Sequence, residues 1–125
     1  MTNLYELFFD GAFKDGQSSF GFVLYLNGVP IDYGYGLTDD TKESVELRGL
    51  SEGLDCFIRR LDCAGADLSI FGDSVIAVNS AHRDPFIKSK LDQIRKLVSS
   101  LEIAWIPRKQ NKIADDLAKR LRSFA

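Results

Sequence analysis

Apolar and polar residues alternate in short segments over the first third of the chain, which is the period of β-strands. The alternation predicts three strands, over residues 4–10, 20–26 and 31–37. Asn27-Gly28 is the dipeptide most typical of a tight hairpin, whereas residues 11–17, which are rich in glycine and polar side chains, predict a turn. Tyr33 and Tyr35 alternate with glycines, which indicates an edge strand. The three strands are therefore predicted to form an antiparallel meander.

The apolar spacing then changes to three and four residues, the period of a helix. The residues that carry the first helix are Leu47, Leu50, Leu54, Phe57 or Ile58, and Leu61. Residues 64–66 predict its end. A buried strand is predicted over residues 68–71, followed by a short helix over residues 73–80 whose inward positions are Val75, Ile76 and Val78.

Another helix is predicted from Pro85, because proline fits the first turn of a helix. Its apolar stripe consists of Phe86, Ile87, Leu91, Ile94, Leu97 and Val98. Residues 103–106 predict a fifth strand that ends at Pro107, and Trp105 is expected in the core. Ile113, Leu117 and Leu121 share one face of a last helix. The order βββαβ(α)αβα predicts an α/β fold with a mixed sheet and parallel strand pairs in its second half.

The composition is that of an ordinary globular protein. The chain has 125 residues, of which 45% are hydrophobic and 27% charged, so residues 1–125 are expected to form a single domain with a real core. No apolar run is long enough to span a membrane, and the N-terminus does not resemble a signal peptide. We therefore expect a cytoplasmic monomer. Cys56 and Cys63 fit no zinc or disulfide pattern and are expected to be buried reduced thiols.

The overall charge argues against a simple nucleic-acid-binding module. The net charge is −2 and the isoelectric point is about 5.3, so the chain has no global field that attracts phosphates. The charge is uneven, however. Near the C-terminus, basic residues outnumber Asp115 and Asp116; they are Arg108, Lys109, Lys112, Lys119, Arg120 and Arg122. This favours a local basic surface.

Acidic residues lie at the ends of predicted elements. Asp10 and Asp73 each follow an apolar strand, and sites in α/β folds form at the carboxyl ends of strands. Glu46 and Asp115 lie in the first turns of helices, where the helix dipole alone also explains an acid. Asp10 has no such capping role, because it follows an apolar strand and precedes a glycine.

Carboxylates that converge without basic partners repel one another, and hard divalent cations such as Mg²⁺ or Mn²⁺ relieve that repulsion. Two ions about 4 Å apart can activate water and stabilise the leaving oxygen of a phosphodiester. Ser74 is the nearest candidate for a covalent nucleophile, but no histidine is placed to activate it. The pattern therefore favours metal-assisted hydrolysis.

The motifs also occur in an order that is characteristic of one family. They are Phe9-Asp10-Gly11 with Gly21, Glu46 with Leu47 and Leu50, Asp73-Ser74, Arg108-Lys109-Gln110-Asn111, and Ala114-Asp115-Asp116-Leu117-Ala118. The chain resembles the type 1 ribonuclease H family, especially its compact, reverse-transcriptase-like and archaeal-type branch. This resemblance implies a five-stranded mixed sheet in the order 3-2-1-4-5 flanked by helices. It also implies a two-metal endonuclease that cuts the RNA strand of RNA–DNA hybrids.

The resemblance implies roles for individual residues. The ligands of two Mg²⁺ or Mn²⁺ ions, and thus the catalytic residues, would be Asp10, Glu46, Asp73 and Asp115. Asp116, next to the matched position, is the less favoured alternative to Asp115. The substrate contacts would be Gly11, Lys42, Ser74, Arg108 and Asn111.

Departures from the family pattern concern the substrate more than the metal. The loop at residues 107–110 lacks the histidine that many members carry, and His82 matches no family position. Glu43 beside Lys42 would repel a phosphate. The long basic insertion of some members is missing. The candidates for a substitute patch lie in the helix within residues 83–100 and are Arg83, Lys88, Lys90, Arg95 and Lys96, although a solvated amphipathic face is the favoured interpretation. A phosphate-binding patch at Lys88, Lys90, Lys119 and Arg120 is a further hypothesis, which predicts affinity that falls steeply with salt.

Three hypotheses follow from these patterns. The first is the endonuclease, with RNA–DNA hybrid as substrate and duplex RNA as an open question. The second is a non-catalytic module that binds nucleic acid or a protein partner. The third is an integrase-like or exonuclease-like enzyme, which the order of the acids and the absence of further segments disfavour.

Overall fold

The computed structural model describes residues 2–121, which contain five strands that form one mixed sheet. The elements are β1 (Leu4–Lys14), β2 (Gln17–Leu26), β3 (Val29–Thr38), α1 (Val45–Ile58), β4 (Asp67–Gly72), α2 (Val75–Ser80), α3 (Pro85–Arg95), β5 (Ser100–Trp105), a 3₁₀ turn (Arg108–Gln110) and α4 (Lys112–Lys119). The strand order is β3-β2-β1-β4-β5. Strands β1 to β3 are antiparallel, and β1, β4 and β5 are parallel. The predicted fold class and strand order are confirmed.

Two tight hairpins connect the antiparallel strands. Asn27 and Gly28 both adopt positive φ, 50° and 85°, which is the backbone of a two-residue type I′ turn. The predicted turn over residues 11–17 is wrong, because β1 continues to Lys14 and pairs there with Gln17. The turn is only Asp15-Gly16, whose φ values are 53° and 77°. The β3 strand lies at the sheet edge as predicted.

Several residues expected in the core lie at the surface. Helix α1 ends at Ile58, so Leu61 is fully exposed, and Cys63 and Ala66 close that end of the core instead. Val75, Ile76 and Phe86 are exposed as well. Trp105 is half-exposed at the end of the edge strand β5, and its indole N–H donates a hydrogen bond to the Asp73 carbonyl, 3.0 Å away.

The cysteines match their expected character. Cys56 and Cys63 are buried free thiols, as predicted. Burial and the Asp32 carboxylate, which accepts a hydrogen bond from the thiol, raise the pKa of Cys56 to about 12. None of the helices within residues 2–121 is long and apolar enough to cross a membrane. Residues 122–125, which the sequence would allow as a short C-terminal tail, lie outside the described residues.

The sheet is covered on both faces, and the two helices that cover β1 and β2 approach through small residues. Tyr5, Leu7 and Phe9 of β1 are fully buried on the face that packs against α1. On the opposite face, a Cβ added at Gly21 of β2 would lie 2.5 Å from the Ala118 nitrogen of α4. The backbones of α4 and β2 are therefore in direct contact, which places α4 beside the end of β1.

We predict that Gly21→Ala lowers the free energy of unfolding by about 3 kcal/mol, because the new methyl group has no space and α4 must move. Urea unfolding measures the loss. Lys88→Ala, on the exposed side of α3, is the control and should stay within about 0.5 kcal/mol of the parent chain. Equal stability of Gly21→Ala and the parent would contradict the direct backbone contact.

Candidate active site

Three carboxylates meet at one edge of the sheet. Asp10 lies in β1, Asp73 follows β4, and Glu46 is the second residue of α1. Strands β1 and β4 are parallel neighbours and pair up to Phe9 and Gly72, so their next residues emerge side by side. One oxygen from each carboxylate lies within 4.8 Å of the other two. Asp10 is only 2% exposed, and the site therefore reaches into the protein.

Gly11 allows α1 to begin directly against β1. A Cβ at this position would lie 2.7 Å from the Glu46 nitrogen, so any larger residue would separate the helix from the strand. The Gly11 N–H donates hydrogen bonds to a carboxylate oxygen of Asp10 at 2.9 Å and of Glu46 at 3.1 Å. Gly11 was predicted as a substrate contact; the structure places it at the cleft, where its backbone orients two acids.

Burial is the main reason that two of the acids hold their protons more tightly than usual. Burial raises the pKa of Asp10 well above its usual range, and the nearby Glu46, Asp73 and Asp115 side chains add to the shift. Burial also raises the pKa of Glu46, while its contact with Asp10 and the charge of Arg108 oppose the increase. Carboxylate oxygens are the ligands that Mg²⁺ and Mn²⁺ prefer. The donor set therefore fits a hard divalent cation, whose charge would offset this repulsion.

Asp115 lies beside the three acids, whereas Asp116 is not among the described residues that line the adjoining cleft. Asp115 raises the pKa of Asp10 and its side chain is 18% exposed; Asp116 is exposed. Lys119, one helical turn later, places its Nζ 3.1 Å from an Asp115 oxygen. Sequence reasoning did not identify this ion pair, although an acid followed by a lysine four residues later is its usual signal.

Asn111 connects the elements that carry the acids. Its Nδ2 donates to the Phe9 carbonyl at 2.9 Å and to an Asp73 oxygen at 3.0 Å, and its backbone carbonyl accepts from the Asp115 N–H at 3.0 Å. Asn111 was predicted as a substrate contact, but it is 1% exposed. Substrate contact by Asn111 stays a prediction, and its described hydrogen bonds position Asp73 relative to β1.

A cleft of 650 Å³ opens beside the acids. It contains four of the predicted substrate residues, Gly11, Lys42, Ser74 and Arg108. It also contains residues that sequence reasoning did not assign to the site, namely Phe13, Lys14, Ile76 and Lys119. Glu43 lines the cleft next to Lys42 as well. The Ser74 hydroxyl accepts a hydrogen bond from the Ala77 N–H at 3.1 Å and so caps α2 as it borders the cleft.

The predicted basic patch is not one surface. Lys90 binds Asp55 at 2.8 Å and the Ser51 hydroxyl at 2.7 Å, which holds α3 against α1. Lys88 lies on the same helix α3, whereas Lys119 lies on α4 at the cleft. His82 is exposed after α2 and is not among the described residues that line the cleft. The basic side chains next to the acids are therefore the four that line the cleft, namely Lys14, Lys42, Arg108 and Lys119.

A family model described as reverse transcriptase-like matches residues 8–121. Ribonuclease H1 from the halophilic archaeon Halobacterium salinarum superposes with a TM-score of 0.76 and 24% identity, over 98% of this chain and 99% of that one. The N-terminal ribonuclease H domain of a Mycobacterium tuberculosis protein superposes with a TM-score of 0.79 and 20% identity, over 98% of this chain and 99% of that one. LC11 ribonuclease H1 in complex with an RNA/DNA hybrid superposes with a TM-score of 0.77 and 18% identity, over 97% of this chain and 99% of that one. At these identities the superpositions show a shared fold.

We predict that Asp10→Asn raises the melting temperature of the metal-free protein. Folded Asp10 keeps a proton over a pH range in which the unfolded side chain has lost it, so the stability of the parent falls as the pH rises above about 4. The stabilisation by asparagine should be small at pH 4 and reach about 2 kcal/mol near pH 7. Thermal melts in EDTA at both pH values measure it.

The control for this prediction is Asp116→Asn, which removes an exposed charge and should leave the melting temperature almost unchanged. Adding Mg²⁺ should raise the melting temperature of the parent more than that of Asp10→Asn, because a ligand that binds only the folded state stabilises it. A parent chain that Mg²⁺ and Mn²⁺ leave unaffected would speak against the metal site.

We predict that Asn111→Ala costs about 2 kcal/mol of stability, because it leaves the buried Phe9 carbonyl without its donor. It should also weaken stabilisation by Mg²⁺, since Asp73 loses the hydrogen bond that orients it. Urea unfolding with and without Mg²⁺ tests both effects. Gln110→Ala, at the exposed neighbouring position, is the control, and identical behaviour of the two variants would contradict the positioning role.

Proposed function

Because the chain belongs to the reverse transcriptase-like family and has the ribonuclease H fold, we propose that it is a ribonuclease H. In this proposal it is a metal-dependent endonuclease that hydrolyses the RNA strand of RNA–DNA hybrids. The observation that carries the proposal is the cluster of Asp10, Glu46 and Asp73, whose oxygens lie within 4.8 Å of one another beside an open cleft. Support for the substrate class comes from the solved relative that binds an RNA/DNA hybrid.

Four carboxylates would hold the metal, namely Asp10, Glu46, Asp73 and Asp115. Bound Mg²⁺ or Mn²⁺, as two ions per site, would supply Lewis-acid stabilisation of phosphate charge and a nucleophilic water at neutral pH. The protein itself contributes the fixed positions of these carboxylates. Gly11 and Asn111 fix three of the carboxylates through hydrogen bonds of 2.9–3.1 Å, so little reorganisation is needed when charge develops.

The nucleophile in this proposal is water. The Ser74 oxygen already accepts the capping hydrogen bond of α2, and no histidine lines the cleft among residues 2–121. A covalent mechanism needs an activated side chain, which the described cleft does not offer. Direct hydrolysis needs only water, the metal ligands and cations for the phosphates.

Basic side chains that could bind the phosphates lie near the acids. Arg108 is exposed in the cleft, and its charge acts on Glu46, which places the guanidinium close enough to the metal ligands to contact a scissile or neighbouring phosphate. Lys14 and Lys42 line the same cleft. These three cations compensate locally for the net charge of −2, so an acidic protein still presents a phosphate-binding surface.

The second candidate function is a non-catalytic module that binds nucleic acid or a protein partner. The observation in its favour is Glu43, which lines the cleft beside Lys42 and repels phosphates. Weighed against it are the four acids, which a module that only binds nucleic acid has no reason to keep together, because their repulsion costs stability. The enzyme is therefore the better-supported function.

Cleavage of labelled RNA–DNA hybrid, duplex RNA and duplex DNA, each with Mg²⁺ and with Mn²⁺, tests the proposal. We expect the RNA strand of the hybrid to be cut and duplex DNA to remain intact. Asp10→Asn should lower the rate roughly 1,000-fold or more, because several kcal/mol of metal-dependent stabilisation are lost.

Asp116→Asn is the matched control and should keep nearly full activity, whereas Asp115→Asn should lose most of it. Both variants change a single carboxylate on the same helix α4, so the comparison separates a site effect from a change of helix charge. Hybrid binding without cleavage in either metal would favour the non-catalytic module instead.

A further inference from the structure

Helix α4 covers only part of the sheet face that lies opposite α1. Leu7 and Phe9 of β1 pack towards α1, so the alternating residues Glu6 and Phe8 face the other way. On that side, α4 is eight residues long and packs over Gly21 of β2. The remainder, which carries Glu6, Phe8 and the residues paired with them in the neighbouring strands, is called the open face below.

One row of paired residues crosses the open face and is apolar in all five strands. Directly paired residues of neighbouring strands have their side chains on the same face of a sheet. From β3 to β5, the row consists of Tyr33, Val23, Phe8, Phe71 and Ala104. Tyr33 is 59% exposed, and the Phe8 and Phe71 ring centroids are 5.0 Å apart. Strands about 4.8 Å apart make this apolar row roughly 20 Å wide, and contiguous apolar surface indicates an interaction site.

The open face has two levels. A groove of 210 Å³ lies between the strands and α4; Phe8, Val23 and Tyr25 line it from the sheet, and residues 110–114 line it from the helix and the turn before it. Ile113 of α4 is 53% exposed. The helix therefore stands above the sheet on one side of the apolar row, whereas the strands are uncovered on the other side. A partner that covers this face needs the complementary relief.

The charges on the two sides of the apolar row have opposite signs. On the uncovered side, the next row of paired residues contains Glu6 and Glu102, which both pair with Ser69. On the helix side, Lys109 lies in the turn before α4, and Lys112 is the first residue of α4. Within residues 2–121, none of these four charged side chains is in an ion pair. Their charges are therefore available to a partner.

A second copy of this chain supplies both complements. A two-fold axis along the apolar row turns the second copy over, so that its α4 faces the uncovered strands of the first copy. The same rotation places Lys109 and Lys112 of each copy over the acidic row of the other. Such an interface uses the same patch on both copies, and opposite charges that meet across it favour this orientation over others.

We propose that the chain forms a two-fold symmetric dimer through the open face, in which the two apolar rows pack together and each α4 lies on the sheet of the other copy. The face is small for a stable interface, so the dimer is weak, with a dissociation constant of about 10–100 µM. The axis reverses the direction of the strands, and the two active-site clefts therefore open at opposite ends. The monomer expected from the sequence is the alternative.

Sedimentation velocity of the full chain, without nucleic acid, tests the proposal. The parent should change from monomer to dimer between roughly 1 and 500 µM. Tyr33→Ser should raise the dissociation constant about tenfold, because it removes an exposed aromatic side chain from the apolar row. Lys88→Glu, on α3, is the control; it changes a charge away from the open face and should leave the dimer unchanged.

An exchange of charges tests the symmetry of the interface. Lys112→Glu and Glu6→Lys each create two contacts between like charges in their own dimers, so each variant alone should be monomeric where the parent is a dimer. An equal mixture of the two should form a heterodimer, because the substituted side chains then meet with opposite signs. Circular dichroism verifies that each variant is folded. Lys109→Glu and Glu102→Lys, at exposed positions, give a second exchange that keeps Glu6.

Three results would overturn the dimer through the open face. A parent that stays monomeric over the whole concentration range overturns it and indicates a different occupant, such as another protein. A dimer that Tyr33→Ser and the charge variants leave unchanged uses another surface. Folded charge variants that stay monomeric when mixed contradict the two-fold pairing. These measurements contain no nucleic acid, so the proposal does not depend on the proposed function, and a failed cleavage assay leaves it standing.

Discussion

Repulsion between buried carboxylates is the constraint that the rest of this structure has to satisfy. Asp10, Glu46 and Asp73 hold their oxygens within 4.8 Å of one another, and burial and mutual charge raise the pKa of Asp10. The stability that keeps them together comes from elsewhere, chiefly from the apolar face of β1 packed against α1. Gly11 lets that packing place Glu46 over Asp10, because the helix begins in contact with the strand.

Much of the fold follows from local sequence signals. Asn27-Gly28 specifies its hairpin through positive φ values that few other residues adopt, and the change from strand to helix spacing identifies the order of the elements. The acids were identifiable because they follow apolar strands, whose carboxyl ends meet in a parallel pair. These signals need no knowledge of distant partners.

The features that the sequence did not reveal depend on distant partners. Asn111 is buried where it bonds to Phe9 and Asp73, more than 30 residues away in the chain, and Trp105 is half-exposed because β5 has a neighbouring strand on one side only. Ile76 occupies a helix position that looks buried, yet it faces a cleft. Residues 11–17 looked like a turn because they contain glycine. Gly11 is instead part of β1, and it is a glycine because α1 lies directly against it.

The hydrogen bond from Asn111 to the Phe9 carbonyl also has a kinetic consequence. It joins residues 102 positions apart, and contacts that close such long loops form late, after local hairpins and helices. Its side chain bonds to the residue before Asp10 and to Asp73, and Asn111 itself directly precedes the helix α4 that carries Asp115. We therefore expect the complete carboxylate set to assemble in the last stage of folding. Divalent cations would then bind the native protein in preference to its folding intermediates. A partly folded chain would have no catalytic activity.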